Sequence, residues 1–334
     1  MRILVTGGCG FIGSAVVRQL MARTDCEVFN LDKLTHAANP EALEQARWSN
    51  RYHFIHADIR DADTVSSLVH DIRPDAIMNL AAETHVDRSI DSPEPFVRTN
   101  INGTLALLEA ALHAWRNRSA RDRDRFRFLQ VSTDEVYGSL EGEGQFREDS
   151  PYAPSSPYSA SKAASDHLVA AWHRTYGLPT LTTNGSNTFG PWQSPDKLIP
   201  LAIHRASTGQ SIPVYGDGQN VRDWLFVEDH AAALLSVLDY GTPGRNYNIG
   251  GNAERTNMQV IRAICSHLDR RAPARAPHWR LAEFTPDRPG HDFRYAVDTS
   301  RIREELGWRP EHRFDTALRR TVDWFAGESA AAGR

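Results

Sequence analysis

The feature that most constrains this chain is a glycine-rich loop close to its amino terminus. An apolar run of β type, ILVT at residues 3–6, leads into TGGCGFIG, and a helical pattern of apolar residues follows. Gly7 or Gly8 permits a tight turn, Gly10 lets the backbone approach a pyrophosphate, and Gly13 lets the helix pack on the strand. The unpaired N–H groups at the start of the helix then face the phosphates. Strand, glycine loop and helix in this order predict a dinucleotide-binding fold.

A carboxylate follows the second predicted strand, residues 27–31. Asp32 comes about 20 residues beyond the loop, which places it to bind the adenosine ribose hydroxyls of NAD. Its charge would repel the additional phosphate of NADP. Lys33 favours NADP instead, because its ammonium group could pair with that phosphate. We predict NAD as the cofactor.

Two more predicted strands contribute residues to the same edge of the sheet. The third, Tyr52–His56, is followed by Asp58 and Ile59, a position suited to flanking an adenine ring. The fourth, residues 76–80, is followed by two alanines that leave room for a ligand against the backbone. Thr84 and His85 come next and add polar groups. Ligands of open α/β sheets bind beyond the carboxyl ends of the strands, so these residues are candidates for ligand contact.

The chemistry is concentrated in VSTDEVYG at residues 131–138, which follows an apolar run. A buried parallel strand there would deliver Thr133, Asp134 and Glu135 to one place. Tyr158 and Lys162 follow in a predicted helix with the spacing Y-x-x-x-K. Residues four apart share one helix face, so we expect Lys162 to lie beside the Tyr158 hydroxyl and to lower its pKa. A phenolate next to a nicotinamide is a base for removing the proton of an alcohol.

The composition argues against several classes of function. A net charge of -4 and a pI of about 6.4 argue against nucleic acid as the main partner. The arginine-rich run at 116–127 has little aromatic interleaving, and we interpret it as a solvated connecting loop. The three cysteines lack paired or metal-like spacing, so we predict a reducing environment and no metal site. Because we find neither a signal-like leader nor an apolar run of the ~20 residues that a membrane span needs, we expect a cytoplasmic protein.

Taken together, these motifs resemble the extended short-chain dehydrogenase/reductase superfamily of nucleotide-sugar enzymes, and most specifically its dTDP-glucose 4,6-dehydratases. The similarity runs nearly end to end. The segments that carry it are VTGGCGFIGS, DKLT, LAAETHVDRSI, VSTDEVYGS, PYAPSSPYSASKAASDHLV, PVYGDGQNVRDWLFVEDHA, YNIGG, DRPGHDFRYAVD and ELGW. The Asp-Glu pair distinguishes the dehydratases from related epimerases, which need no acid–base carboxyl pair. Two adjacent carboxyl groups can be driven apart in pKa, which gives one acid and one base.

The resemblance implies a mechanism in three stages. Tyr158, assisted by Lys162 and with Thr133 bonded to the reacting hydroxyl, deprotonates the 4-hydroxyl while hydride passes to NAD. Glu135 then removes the proton at carbon 5 and Asp134 protonates the departing 6-hydroxyl. Hydride returns to carbon 6 and Glu135 reprotonates carbon 5. NAD is regenerated in each cycle and is expected to stay tightly bound.

The resemblance also implies two sets of contacts. For the cofactor we predict Gly7, Gly10, Phe11, Ile12, Gly13, Asp32, Lys33, Leu34, Thr35, Asp58, Ile59, Leu80, Ala81, Ala82, Thr99, Tyr158, Lys162 and Thr188. For the nucleotide sugar we predict Thr84, His85, Thr133, Asn187, Lys197, Leu198, Pro213, Val214, Tyr215, Arg222, Asn257, Arg288 and His291. The family pattern CSNNYGP reads GSNTFGP here, with Gly185, Thr188 and Phe189 as the departures. We expect these to alter cofactor contacts or kinetics without abolishing the chemistry.

The predicted architecture is α/β, a Rossmann-like doubly wound parallel sheet with a smaller mixed α/β carboxy-terminal lobe. Residues 1–185 and about 219–250 are assigned to the NAD-binding lobe, and residues 186–218 and about 251–334 to the nucleotide-sugar lobe. By resemblance, helices at 100–115 and 158–176 would form a homodimer. A dehydratase of another nucleotide sugar such as UDP-glucose, then a 4-epimerase, then a catalytically silent NAD-binding interaction protein are the alternatives. No nucleic acid or membrane partner is expected.

Overall fold

A computed structural model describes residues 1–23, 25–287 and 289–332, with side chains as far as residue 327. The strands are β1 (Arg2–Thr6), β2 (Glu27–Asp32), β3 (Tyr52–His56), β4 (Ala76–Asn79), β5 (Arg127–Thr133), β6 (Thr180–Gly185), β7 (Asn187–Phe189), β8 (Ile212–Tyr215), β9 (Val221–Phe226), β10 (Asn246–Ile249), β11 (Glu254–Thr256) and β12 (Ala282–Thr285). The helices are α1 (Phe11–Ala22), α2 (Ala62–Ile72), α3 (Val86–Asp91), α4 (Glu94–Phe96), α5 (Thr104–Arg116), α6 (Ala120–Arg125), α7 (Pro157–Tyr176), α8 (Leu198–Thr208), α9 (Val227–Tyr240), α10 (Asn257–Arg271), α11 (Ser300–Leu306) and α12 (Phe314–Ala332).

Seven parallel strands form the central sheet, in the order β10-β6-β5-β4-β1-β2-β3. The chain crosses from one half of the sheet to the other after β3, because β4 returns to pair with β1 on the side away from β2. This reversal opens a crevice at the carboxyl ends of β1 and β4, where doubly wound folds bind their ligands. All the predicted strands that carry candidate residues, β1 to β5, end at this edge.

Apolar side chains cover both faces of the sheet, as a doubly wound fold requires. In β1, Ile3 and Val5 pack in a cluster with side chains of α1 and α9, whereas Leu4 packs in a second cluster with side chains of α2 and α5. Successive residues of a strand point to opposite faces. The two clusters therefore lie on opposite sides of the sheet, and the predicted Rossmann-like α/β class is confirmed.

The later part of the chain builds smaller elements around the edge of the sheet. Strands β11, β9 and β7 form a three-stranded sheet, β8 pairs with β12, and α8, α10 and α12 pack against one another. Strand β10 returns to the large sheet beside β6, and α9 packs on α1. The division into two lobes at the predicted residue boundaries stays a prediction.

Two helical segments differ from the sequence-based expectation. The arginine-rich run is not a loop throughout, since Ser119 caps the short helix α6 by accepting a hydrogen bond from the Asp122 amide. No residue of α6 is buried, so the run lies at the surface as expected, although part of it is a helix. The segment before α5 is a π-helix, Val97–Gly103, so the helix predicted to begin at Asn100 is preceded by an extra turn. Within the described part of the chain, no helix is both long and apolar enough to cross a bilayer.

Candidate active site

A cavity of about 320 Å³ lies at the carboxyl edge of the sheet. Its lining includes all the predicted cofactor residues except Leu34, whose backbone amide instead donates to Asp32 Oδ1 at 2.8 Å. The catalytic candidates line the same cavity, and they are Thr133, Asp134, Glu135, Tyr158 and Lys162. Besides Tyr158 and Lys162, the predicted cofactor residues in the lining are Gly7, Gly10, Phe11, Ile12, Gly13, Asp32, Lys33, Thr35, Asp58, Ile59, Leu80, Ala81, Ala82, Thr99 and Thr188. The sheet thus brings together residues more than 150 positions apart in the sequence.

The glycine loop is closely packed between β1 and α1. Gly7 has a φ of +70°, a conformation that favours glycine. A Cβ at Gly13 would lie 2.1 Å from the Gly7 carbonyl oxygen and 2.8 Å from Gly8 Cα. The helix starts immediately after Gly10 and has no acidic residue in its first turn, so its N–H groups and dipole can receive a phosphate. The residues present fit the pyrophosphate of a dinucleotide.

Replacing Gly13 with alanine is expected to destabilise the fold by about 1–3 kcal/mol, because the methyl group overlaps backbone atoms that cannot rotate away. We expect weaker retention of the dinucleotide as well. Thermal unfolding and the amount of nucleotide co-purified with the protein measure the two effects. Gly327→Ala is the matched control, since nothing lies within 4 Å of its added Cβ in helix α12. Equal stability of the two variants would contradict the close packing.

The adenosine end of the cavity is defined by Asp32, which is 7% exposed. Its Oδ2 accepts from the Cys9 amide at 2.9 Å and its Oδ1 from the Leu34 amide. These bonds fix the carboxylate while each oxygen keeps a further acceptor site for a ribose hydroxyl. Lys33 next to it forms an ion pair with Glu83, with Nζ 3.0 Å from Oε1.

The acid–base pair lies where β5 ends and a 3₁₀ turn begins. Asp134 is 1% exposed, and burial raises the pKa of its carboxyl well above the usual value, with the charges of Glu135 and Asp223 adding to the effect. Asp134 Oδ2 has no hydrogen-bond partner within the described chain. A buried carboxyl with a raised pKa holds its proton to higher pH than an exposed one, so Asp134 is suited to act as an acid. The Thr133 hydroxyl donates to Asp134 Oδ1 at 3.3 Å.

Tyr158 and Lys162 occupy the first turns of α7, which starts with a capping box formed by Ser156 and Ser159. The structure differs from the expectation that the pKa of Tyr158 is lowered overall. Burial and the charge of Glu135 raise that pKa, while a hydrogen bond with Thr133 lowers it. Lys162 Nζ instead donates to the Val131 carbonyl at 2.7 Å. The lysine is thus anchored on β5, and the tyrosine hydroxyl is neutral in this arrangement.

A buried carboxylate lies behind Lys162 that sequence analysis did not identify. Asp166 is 4% exposed, four residues after Lys162 on the same helix, and its Oδ2 accepts from Ser132 Oγ at 2.6 Å and from Tyr152 OH at 3.2 Å. Burial raises the pKa of Asp166 to about 6, against the opposing charge of Lys162. Burial lowers the pKa of Lys162, and the charge of Asp166 raises it. Each group of the pair thus favours the charged form of the other against the effect of burial.

The predicted substrate residues are divided between the cavity and the surrounding elements. Thr84, His85, Asn187 and Lys197 line the cavity with Thr133, and His85 Nε2 lies 3.2 Å from Asp196 Oδ2. The other described residues of this set lie outside the cavity lining. Leu198 begins α8, Asn257 begins α10 and Arg222 is in β9, while β8 contains Pro213, Val214 and Tyr215. The His291 ring contacts the Asp287 carboxylate. Val214 is buried and Arg222 donates to the backbone carbonyls of Val221, Asp292 and Phe293. Arg288 lies outside the described residues.

His230 is a cavity residue that sequence reasoning did not assign to the site. It is buried, its Nδ1 lies 2.8 Å from Thr188 Oγ1, and burial lowers its pKa to about 4. A Cβ at position 185 would lie 2.6 Å from the His230 ring. Gly185 and Thr188, two of the positions where this chain differs from the family pattern, therefore both lie against the His230 ring. The motif VEDHA marked the helix start, but nothing in it indicated that the ring reaches back to β6.

Several buried polar atoms in the cavity lining lack a partner within the described chain, which fits a polar ligand. They belong to Thr99, Asp134, Ser186, Asn187, Gln193 and His230. The described residues contain no group of three or more potential metal ligands. The glycine cradle, the Asp32 carboxylate and the unpartnered donors and acceptors together fit a bound dinucleotide.

Comparison with known proteins extends this result. The family model described as GDP-mannose 4,6 dehydratase matches residues 4–321. A dTDP-glucose 4,6-dehydratase of Haemophilus influenzae is 52% identical, with 99% of this chain and 100% of the relative aligned. The crystal structure of a dTDP-glucose 4,6-dehydratase from Streptomyces venezuelae with NAD bound superposes with a TM-score of 0.90 at 42% identity, covering 99% of this chain and 98% of that one. A Thermus thermophilus UDP-glucose 4-epimerase in complex with NAD gives a TM-score of 0.86 at 30% identity, covering 98% and 99%.

Proposed function

The chain belongs to the dTDP-glucose 4,6-dehydratase family, and on that premise we propose how its own side chains divide the work of the reaction. It is an NAD-dependent enzyme that converts dTDP-glucose to dTDP-4-keto-6-deoxyglucose by oxidation, elimination of water and return of hydride. The observation that carries the division of roles is the placement of Thr133, Asp134, Glu135, Tyr158 and Lys162 around one cavity. Bound NAD supplies the hydride acceptor and donor.

Tyr158 is the base that takes the proton of the 4-hydroxyl. Its raised pKa means that it needs positive charge nearby to lose its own proton, and the buried Lys162 ammonium on the same helix, together with bound NAD, would supply that charge. Thr133 holds the reacting hydroxyl by a hydrogen bond and also bonds the tyrosine. Lys162 is held in place by the Val131 carbonyl and kept charged by Asp166.

Asp134 and Glu135 carry out the elimination. Glu135 is half-buried on the cavity wall and removes the proton at carbon 5, which the new 4-keto group has acidified. Burial raises the pKa of Asp134 and so favours its protonated form, and Asp134 gives this proton to the departing 6-hydroxyl. Glu135 then returns a proton to carbon 5. An epimerase needs neither step, so these two carboxyl groups favour the dehydratase over the 4-epimerase.

The test of this cycle uses dTDP-glucose labelled with deuterium at carbon 4. Because the same bound cofactor takes and returns the hydride, we expect the deuterium at carbon 6 of a 4-keto-6-deoxy product. Label lost to added NAD would mean that the cofactor exchanges during the cycle. Label recovered at carbon 4 of a galactose nucleotide would support the epimerase instead.

Asp166→Asn is expected to move the alkaline limb of the log kcat profile to lower pH. Lys162 acts in its charged form, and without the Asp166 charge its pKa falls further, so the ammonium is lost sooner as the pH rises. The polar groups that face this carboxylate include Ser132, Tyr152, Asn184 and Lys162. Asp149→Asn, an exposed loop carboxylate, is the control. A limb that stays in place or moves upward would contradict the role of Asp166.

The remaining predicted substrate residues are proposed to hold the nucleoside diphosphate beyond the sugar. Lys197 at the cavity and Arg222 and His291 further out supply positive charge, and Tyr215 supplies an aromatic surface. Arg288, predicted from the family resemblance alone, would add to this charge. We also propose a homodimer through the helices predicted from the family resemblance. Its proposed location is a reducing cytoplasm, since the three cysteines are free and buried. Light scattering measures the first, and fractionation of cells the second.

A further inference from the structure

The ion pair between Lys33 and Glu83 determines how the adenosine end of the cavity treats a 2′-phosphate. Asp32 marks the position of the ribose 2′-hydroxyl, and Lys33 is the residue directly after it. A free lysine at this place would attract the additional phosphate of NADP. The structure does not leave it free, because Lys33 Nζ lies 3.0 Å from Glu83 Oε1. Both side chains are about three-quarters buried, at 26% and 22% exposed.

Glu83 is held firmly where it can reach Lys33. Its backbone amide donates to Asn100 Oδ1 at 2.9 Å, and its carbonyl accepts from Asn100 Nδ2 at 3.0 Å. Asn100 is 2% exposed and donates in turn to Ser161 Oγ of helix α7. Residue 83 is therefore clamped on both sides by one buried amide, and its side chain extends from a fixed point towards β2.

The other cations around this end of the cavity are also engaged. Arg60 forms an ion pair with Asp58, with Nη2 2.6 Å from Oδ2. Arg88 Nη1 lies 2.6 Å from His36 Nε2. Asp32, Asp58 and Glu83 thus set three carboxylates beside the three cations Lys33, Arg60 and Arg88, each of which already has a partner. A 2′-phosphate, which carries about two negative charges, would have to compete with these partners.

We propose that Glu83 is a determinant of cofactor specificity, which selects NAD over NADP by holding the Lys33 ammonium in an ion pair. This inference rests on the NAD-binding site described above. It assigns Glu83 a positioning role, acting on the cofactor through Lys33. Asp32 repels the phosphate directly, and Glu83 engages Lys33, the cation next to Asp32 in the chain.

The test is a competition for the site in the purified enzyme. The protein is incubated with equal concentrations of NAD and NADP, freed of unbound nucleotide by gel filtration, and denatured, and the bound nucleotides are quantified. In Glu83→Gln we expect the bound NADP-to-NAD ratio to rise about tenfold, because the released Lys33 ammonium can then pair with the 2′-phosphate. NAD affinity itself should change little, since Asp32 and the backbone clamp at Asn100 remain.

Two further variants make the result specific. Lys33→Met alone is expected to lower the ratio, since Glu83 then keeps its charge without a partner. Lys33→Met together with Glu83→Gln is expected to lose the gain seen in Glu83→Gln. Glu109→Gln, an exposed carboxylate on α5, is the matched control. An unchanged ratio in Glu83→Gln, or a gain that survives the loss of Lys33, would overturn the proposal, whereas failure of the unaltered enzyme to bind either nucleotide would overturn the proposed function.

Discussion

Glu135→Gln is expected to oxidise the substrate and then stop. The amide keeps the shape of the side chain but cannot accept the proton at carbon 5, so water is not eliminated and hydride has no carbon 6 acceptor. General-base groups contribute about 10²–10⁴ in rate, and we expect kcat to fall within that range. Tyr158 and Lys162 are untouched, so the oxidation should still proceed. Absorbance of the reduced nicotinamide, recorded after mixing enzyme and dTDP-glucose, measures this step separately from product formation.

The control for Glu135 is Glu141→Gln, a change of the same kind at an exposed residue of the following loop. It should leave both the reduction of the cofactor and the turnover unchanged. A Glu135→Gln enzyme that releases the 4-keto-6-deoxy product at the normal rate would remove Glu135 from the elimination step. One that does not reduce the cofactor at all would place Glu135 in the oxidation instead.

Tyr158→Phe is expected to fail one step earlier. Without the phenolic oxygen no group of the cavity can take the proton of the 4-hydroxyl at this position, so no reduced nicotinamide should accumulate. We expect kcat to fall by about 10²–10⁴. Tyr158 is 7% exposed, and its ring packs edge-on against Phe96 at 6.4 Å between centroids, so phenylalanine preserves the packing. The melting temperature should stay close to that of the unaltered protein.

Tyr176→Phe, at the exposed end of the same helix, is the control for Tyr158. It should reduce the cofactor and form product normally. If Tyr158→Phe reduced its cofactor as fast as the unaltered enzyme, the base would have to be another group. Used together, the Tyr158 and Glu135 variants separate oxidation from elimination by a spectroscopic signal that a general loss of structure would not produce.

The sequence was sufficient for the features that depend on local spacing. The glycine loop, the strand that ends at Thr133 and the pair Tyr158 and Lys162 each follow from a short pattern with a fixed backbone geometry. The alternation of strands and helices predicts that β1 to β5 are parallel and that their carboxyl ends lie at one edge of the sheet. These features locate most of the cofactor site.

The features that the sequence did not predict are contacts between distant segments. Lys33 meets Glu83 across 50 positions, and Lys162 meets the Val131 carbonyl across 31. The pKa of Tyr158 was expected to be low because Lys162 is its neighbour on the helix. It is raised because burial dominates and the charge of Glu135 adds to the effect, while the Lys162 ammonium donates to β5. Such effects depend on how side chains share the space between elements, which a one-dimensional pattern does not specify.

The central claim is that Asp134 and Glu135 make this site a dehydratase for dTDP-glucose. The most direct measurement incubates the purified enzyme with dTDP-glucose and, separately, UDP-glucose in deuterated water, with the products identified by NMR. We predict a 4-keto-6-deoxy sugar nucleotide that carries deuterium at carbon 5, formed faster from dTDP-glucose. A galactose nucleotide without solvent deuterium would contradict the roles of both carboxyl groups, and faster turnover of UDP-glucose would contradict the assignment of the substrate.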